Sequence, residues 1–527
     1  MIDQTRKHLS ATSLLTTVKA CFSKITVSRL RVKRTENPIK LSDCLMSALA
    51  IFGLKIPSLL KFDTEHRHNP AKLHNIKKLY QVEQIPSDTY MRERLDEVDP
   101  KDVRKTFKNI FSKVQRGNVL ESFKYLNGSY LMPMDGTGFF ASNKVHCENC
   151  CKKDTQKCHI KIDDSFFGCA EQLKKNTYWL VKKSQTCAWQ LFFIDRDKEI
   201  HEIEIDDVLN LKAELSLERS IKFSRKIKKD IISIIKEYHL NTFGDSVSYY
   251  HNILCSAIVH PDIKTVIPFA PEPILNTDGS TKNDCEHNAS KRFIADFRRE
   301  HPHLEVIAVQ DSLASNFPNL NMLKEANISF ITGAKPGDHK TLFKLVNEAN
   351  CSEYSHTTED GTIHKYRYLN SVSLNKAHEN FKINFLEYWS ESKKEVKRHF
   401  SWVTDITIED DNCYDIMRGG RANWKIENNT FNTLKNQGYH FEHNFGHGDK
   451  YLSTVFGMLM VLAFFIDQVQ EQSCNLWKKA RDKHTSRSGL FDRIRSMVME
   501  HFINSWDDIY KAIGYGHSGS VLVPNTS

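Results

Sequence analysis

NDCEHNASKRFIADFRRE (residues 283–300), EVIAVQD (305–311), FPNLNMLKEAN (317–327) and SFITGAK (329–335) read as helix, strand, helix, strand. The first places Ala289, Phe293 and Phe297 on one side of an amphipathic helix. The second and fourth are short apolar runs of strand length. TLFKLVNEA (341–349) adds a further helix. Upstream, LCSAIVHPDIKTVIPFAPEPI (254–274) reads as two strands around a turn at Pro261 and Asp262. LMPMDGTGFF (131–140) is a short apolar strand ending in Asp-Gly. A strand hairpin followed by alternating helix and strand is an α/β layered fold.

The pattern changes downstream. YRYLNSVSL (366–374), NFKINFLEYW (380–389) and HFSWVTDITI (399–408) alternate as strands, with Phe381, Ile383 and Phe385 on one face. Helix returns at NWKIENNTFNTLKNQ (423–437). A β-rich piece therefore interrupts the α/β unit just before its last helix. Residues 40–120 look helical. LSDCLMSALAIFGLKIPSLL (41–60) is apolar all round and should be buried. In IPSDTYMRERLDEVD (85–99), Ser87 can cap a short helix carrying Arg92 and Arg94. That suits a helix-turn-helix that reads DNA ends, and equally an ordinary bundle with surface arginines. Residues 152–250 mix strand text (YWLVKK, WQLFFIDRDKEIHEIEI) with a basic helix containing KFSRKIKK, a run that reads as a solvated face.

The expected organisation is an N-terminal extension (1–39), a helical DNA-end-binding domain (40–125), a core split between 126–151 and 251–350, and an inserted domain (152–250). A β-rich insertion (351–412), a catalytic helix (413–450) and a helical C-terminal region (451–527) follow. A chain of 527 residues is long enough for two to four such units. The net charge of +9 suits a polyanionic partner but is shared by many proteins that bind none. No secretion signal is read at the N-terminus, so the 13 cysteines are expected reduced in a cytoplasmic setting. VFGMLMVLAFFI (455–466) is about half of what a membrane span needs and reads as a buried helix. The glycines of DGTG precede no lysine-bearing helix, so nucleotide binding is not expected.

Three acids carry the chemistry. Asp135 is read as ending the first strand, Asp311 as ending a later strand of the same sheet, and Glu427 lies on the helix after the β-rich piece. Neighbouring strand ends would set the two aspartates side by side, and the helix would bring the glutamate. Clustered carboxylates repel unless cations lie between them. Two Mg²⁺ (or Mn²⁺) ions would relieve that repulsion and support an in-line displacement at phosphorus with no protein nucleophile.

The stretches MDGTGFF, VIAVQDSL and WKIENNTFNTLKNQGYHFEHNFGHG resemble the DDE transposases of bacterial insertion sequences. The likeness is to the cut-and-paste group with a β-strand insertion before the third acid. LSDCLMSALAIF, IPSDTYMRERLDEVDP, PFAPEPI and DCEHNASKRF share it, so it spans roughly residues 40–150 and 250–450. The resemblance implies a ribonuclease-H-like catalytic core with Asp135, Asp311 and Glu427 as its metal-binding triad. It also implies cleavage at inverted-repeat ends, strand transfer into target DNA, a homodimer in the synaptic complex and a bacterial, nucleoid-associated location. The family's tyrosine and arginine positions before the last acid fall on Gly420 and Asn423, with Arg421 nearby to substitute. Its lysine falls one place late, at Lys435. An aromatic on the last insertion strand, Phe400 or Trp402, would stack on a flipped base; core packing is the alternative for both. Lys335, His339 and Lys340 would hold phosphates or are ordinary loop charges. The rival functions are an inactive transposase-derived DNA-binding protein and a structure-specific nuclease.

HCENCC (146–151) gives Cys147 and Cys150 metal-ligand spacing, with Cys158, His159 and Cys169 downstream. A second CxxC or HxxxH is missing, so these read as reduced thiols. His440, His443 and His447 in HFEHNFGHG read as hydrogen-bonding histidines of a loop, and no zinc site is assigned.

Overall fold

The computed structural model describes residues 7–27, 38–142, 144–155, 246–276, 286–391, 398–516 and 523–524, with the backbone of strands between 158 and 205. The fold is mixed α/β. It divides into two compact units, Lys152–Tyr249 and the remainder, Met1–Cys151 with Tyr250–Ser527.

The strands in chain order begin with β1 (Tyr130–Ser142) and β2 (Cys151–Thr155). The smaller unit holds β3 (Cys158–His159), β4 (Cys169–Gln172), β5 (Tyr178–Lys182), β6 (Trp189–Ile194) and β7 (Ile200–Ile205), an antiparallel sheet in sequence order. The basic run at 222–229 lies outside the described residues. Then come β8 (Ser246–His260), β9 (Ile263–Pro268), β10 (Glu272–Ile274), β11 (Val306–Gln310) and β12 (Ser329–Gly333). Next are β13 (Ser352–Thr357), β14 (Ile363–Ser373), β15 (Lys382–Glu391) and β16 (Arg398–Thr404), and a separate antiparallel pair, β17 (His501–Phe502) and β18 (Val523–Pro524), comes last.

The main sheet runs β10-β8-β1-β11-β12-β16-β15-β14-β13, and β9 pairs with β8 beside this path. β1, β11 and β12 are parallel, with Tyr130–Pro133 opposite Val306–Val309 and Ile307–Gln310 opposite Ser329–Thr332. Parallel strands are normally buried on both faces, and every residue of β11 is buried. β16 joins β12 antiparallel, so the β-rich insertion extends this sheet rather than standing apart from it. The sequence reading missed β13. Its residues, SEYSHT, sit on the sheet's outer edge and none is buried, so no apolar face marks them.

Helices pack around the sheet. α1 (Ala11–Phe22), α2 (Leu41–Gly53), α3 (Leu59–His66), α4 (Pro70–Tyr80), α5 (Asp88–Asp96) and α6 (Pro100–Arg116) precede β1. α7 (Glu286–Glu300), α8 (Phe317–Glu325) and α9 (Lys340–Glu348) alternate with the parallel strands. α10 (Cys413–Arg421), a π-helical turn (Ile426–Phe431) and α11 (Asn432–Asn436) follow the β-rich segment. The C-terminal helices are α12 (Leu452–Ser473), α13 (Asn475–Asp482), α14 (Arg487–Glu500) and α15 (Trp506–Tyr515). α1, expected within an N-terminal extension, buries Leu14, Leu15, Val18 and Phe22 in the same core as α2, α6 and α12.

α12 is the hub. The apolar run at 455–466 is the middle of a 22-residue helix, long and apolar enough to cross a membrane, yet 94% of its most apolar window is buried inside the protein. It packs against α2, α5, α6 and β9. Its own N-cap side chain makes no capping bond. Asp96, at the end of α5, does so instead. Its carboxylate accepts the backbone N–H groups of Asp449, Lys450, Tyr451 and Leu452 at 2.9–3.0 Å. An acid at a helix N-terminus also opposes the positive end of the helix dipole. Gly448 makes room for it, since a Cβ there would fall 2.2 Å from Asp96 Oδ1. Further along, the fully buried Lys55 pairs with Asp467 at 2.6 Å and lies over the rings of Tyr439 and Phe491.

Asp96→Ala is expected to destabilise the protein by about 2–4 kcal/mol in urea denaturation, because buried N–H groups lose a charged acceptor. A near-zero change would mean that water replaces the carboxylate.

Candidate active site

The β1–β11 pairing positions the first two acids. It ends at Pro133 opposite Val309. Continued two residues, the register sets Asp135 beside Asp311. β1 itself runs on to Ser142, so Asp135 lies within the strand and not at its end as the sequence suggested. Its carboxylate is half-buried and accepts the Gly136 N–H at 2.8 Å. Asp311 follows β11 directly and is exposed. It caps a short 3-10 turn, with Oδ1 accepting the N–H groups of Leu313 and Ala314 at 3.0 and 3.3 Å.

Glu427 is exposed on the π turn, where its carbonyl accepts the Asn432 N–H. π turns are rare and frequent at functional sites. This one also bears on Lys435. One extra residue in an α-helix rotates every later side chain by about 100°. A π turn absorbs one extra residue, so Lys435 returns to the face a lysine one place earlier would hold in an uninterrupted α-helix. Lys435 pairs with Glu442 at 2.9 Å.

A fourth acid joins the three. Glu286 opens α7, and its carboxylate lies against Gly136, where a Cβ would come within 2.3 Å of Oε1. The sequence reading missed it because an acid in a first helical turn is ordinary helix chemistry. Burial pushes the Asp135 carboxyl up to about 6; the Gly136 N–H opposes this, and the charges of Glu286, Glu427 and Asp311 add to it. Asp135 thus senses all three other carboxylates, a set of hard oxygen donors of the kind that Mg²⁺ and Mn²⁺ take.

A cleft of about 570 Å³ opens beside Asp311, lined by Ser312, Asn316, His339, Lys340 and His378 among others. His339 Nε2 is buried there without a hydrogen-bond partner, and burial lowers the pKa of the ring. Lys335 and Lys340 are exposed. Arg92 and Arg94 are half-buried on α5; Arg92 pairs with Asp88 at 3.0 Å and packs beside Gly446. Phe400 is exposed, with the Arg421 guanidinium 5.8 Å from its ring. Trp402 is buried against Gly420, where a Cβ would fall 2.4 Å from the indole nitrogen. A tyrosine cannot occupy position 420 without displacing that ring. Asn423 is half-buried, and its Oδ1 has no hydrogen-bond partner.

Among the described residues, the tightest gathering of metal-ligand atoms is not the carboxylates but Cys147, Cys150, His251 and His447, all buried and within 4.8 Å of one another. The sequence left both thiols without a second pair; the fold supplies it. His251 stands 104 residues from Cys147, so no local spacing announces it. His440 and His443 are not in the group.

The chain matches no family model and no curated protein.

Trp402→Ala should cost about 3–5 kcal/mol of stability and Phe400→Ala under about 1 kcal/mol, read by denaturant titration. Asp135 gives a pH-dependent test. Its carboxyl titrates higher in the fold, near 6, than in the unfolded chain, near ~4. Its ionisation therefore costs stability as pH rises through that window. Asp135→Asn should raise the melting temperature in Mg²⁺-free buffer at pH 8 by on the order of 2 °C, with the gain vanishing toward pH 4.

Proposed function

We propose that the chain is a DNA transposase of the DDE type, a phosphoryl-transfer enzyme acting at the ends of a mobile element. The carrying observation is that Asp135, Asp311 and Glu427 come from two adjacent parallel strands and a following helix, and that the Asp135 carboxyl, pushed up chiefly by burial, is pushed further by the charges of Glu286, Glu427 and Asp311. Strand order supports a ribonuclease-H-like core. In such a sheet the first and fourth strands are neighbours, as β1 and β11 are here, and the intervening β8 and β9 pair with each other.

In this reading Asp135, Asp311 and Glu427 hold two divalent ions. When bound, Mg²⁺ or Mn²⁺ activates the attacking oxygen and stabilises the leaving one. The chain's own residues set the geometry. Asp311 is held through Oδ1 by two backbone N–H groups, which do not engage its second oxygen. Glu286 stands behind Gly136 and raises the negative potential at Asp135. The double-stranded DNA partner would lie across this face. Lys335, His339 and Lys340 would meet phosphates beyond Asp311. Phe400, exposed under Arg421, is the better placed of the two aromatics to stack on an unpaired base. Two chains acting on two ends would form the synaptic dimer.

The test uses DNA carrying the inverted repeats that flank the coding region, with Mg²⁺. Asp135→Asn, Asp311→Asn and Glu427→Gln should each abolish end cleavage, by at least about 10³-fold, while gel-shift binding of the ends persists. Full cleavage by any one variant removes that residue from the site. Cleavage by the wild type without joined products would favour the nuclease reading instead.

A further inference from the structure

We infer that Cys147, Cys150, His251 and His447 form a closed structural zinc site that clasps the chain on either side of the 152–249 segment to the loop following the Glu427 helix. The four ligand atoms, two sulfurs and two imidazole nitrogens, lie within 4.8 Å of one another. The sulfurs of Cys147 and Cys150 are 3.9 Å apart, and each lies 3.4 Å from His251 Nε2. His447 Nε2 lies 2.9 Å from Cys150 Sγ and 3.3 Å from His251 Nε2. A tetrahedron with Zn–S near ~2.3 Å and Zn–N near ~2.0–2.1 Å has edges of about 3.8 Å between sulfurs, 3.6 Å between sulfur and nitrogen and 3.3 Å between nitrogens. The sulfur–sulfur edge is the longest of the five observed, which lie between 2.9 and 3.9 Å, and all four ligand atoms fall within 4.8 Å of one another. Both imidazoles offer the same nitrogen, Nε2, to this group.

The surroundings hold the ligands in place. Phe139 stacks on His251 and Phe140 packs against His447, with ring centroids 5.7 and 4.3 Å apart. Both phenylalanines are on β1, a few residues beyond Asp135. Gly446 and Gly448 flank His447 with φ of 139° and 65°, values that L side chains rarely adopt, and so turn the imidazole inward. Asp96 anchors the next four backbone N–H groups. Asn149, between the cysteines, donates to the Lys450 carbonyl at 2.7 Å, a second tie to the same loop.

Four protein ligands, all buried, leave no open position for water or substrate, which marks a structural and not a catalytic centre. Thiolate and imidazole select zinc over the hard cations suited to the carboxylates. Binding releases the two thiol protons, and the dication is neutralised by two thiolates. In sequence, the larger unit ends at Cys151, next to Cys150, and resumes at Tyr250, next to His251. The metal would therefore fix the points where the chain leaves and re-enters that unit, and His447 would join them to the loop beyond Glu427.

The test is metal content and cobalt substitution of the full-length chain. Protein purified without chelator should carry one zinc per chain. Replaced by Co²⁺, the site should show thiolate charge-transfer absorption and the strong d–d bands of tetrahedral cobalt. Cys150→Ser and His447→Ala should each lose these bands, whereas Cys255→Ser, at a buried thiol elsewhere, and Asp135→Asn should keep both bands and stoichiometry. If the ligand variants fail to fold, X-ray absorption on the wild type decides, with two sulfur and two nitrogen neighbours expected. Wild-type protein that takes up neither metal, or a shell of oxygens, overturns the assignment.

Discussion

Four residues of β1, Tyr130–Pro133, lie parallel to Val306–Val309 of β11, and most of what matters in this protein depends on that pairing. The segments are far apart in sequence, with β8, β9, β10, α7 and the whole of Lys152–Tyr249 between them. Parallel strands align their chain directions, so residues just beyond the paired stretch emerge at the same edge of the sheet. Asp135 and Asp311 are those residues. Gly136 then lets Glu286 approach closely, and the helix after β16 adds Glu427. Burial pushes the Asp135 carboxyl up, and the charges of Glu286, Glu427 and Asp311 add to that push.

The second constraint is Asp96. A buried carboxylate that accepts four consecutive backbone N–H groups fixes both the start of α12 and the loop before it. α12 is apolar on all sides, so helices must surround it, and N-terminal and C-terminal helices do so together. The same loop presents His447 to Cys147, Cys150 and His251. Helical packing, the proposed zinc clasp and the helix of Glu427 therefore share one short segment, 438–452. Both the clasp and the acids also lean on β1, through Phe139 and Phe140 for the one and Asp135 for the other.

The two candidate metal sites are chemically separate. Carboxylates at a half-open sheet edge suit hard, exchangeable cations, and buried sulfur and imidazole suit a tightly held soft one. The cleft beside Asp311 and the exposed ring of Phe400 face solvent, while Trp402, two residues along the same strand, fills core space above Gly420.

Local sequence determined the α/β class, the β8–β9 hairpin turn at Pro261 and Asp262, the Ser87 cap of α5 and the burial of α12. Each is written in short-range signals: apolar period, turn residues, capping side chains. It singled out Asp135, Asp311 and Glu427 as candidates, although it placed Asp135 at the end of a strand that continues past it. What only tertiary structure decided were features made by residues distant in sequence or without an apolar signature. β13 is polar and recognisable only by its place on the sheet edge. Glu286 gains meaning from its approach to Gly136, and Asp96 from a loop some 350 residues away. The partners of Cys147 and Cys150 are histidines 101 and 297 residues beyond Cys150. Spacing can announce ligands that share a turn or a helix face; ligands brought together by three separate segments exist only once the chain has folded.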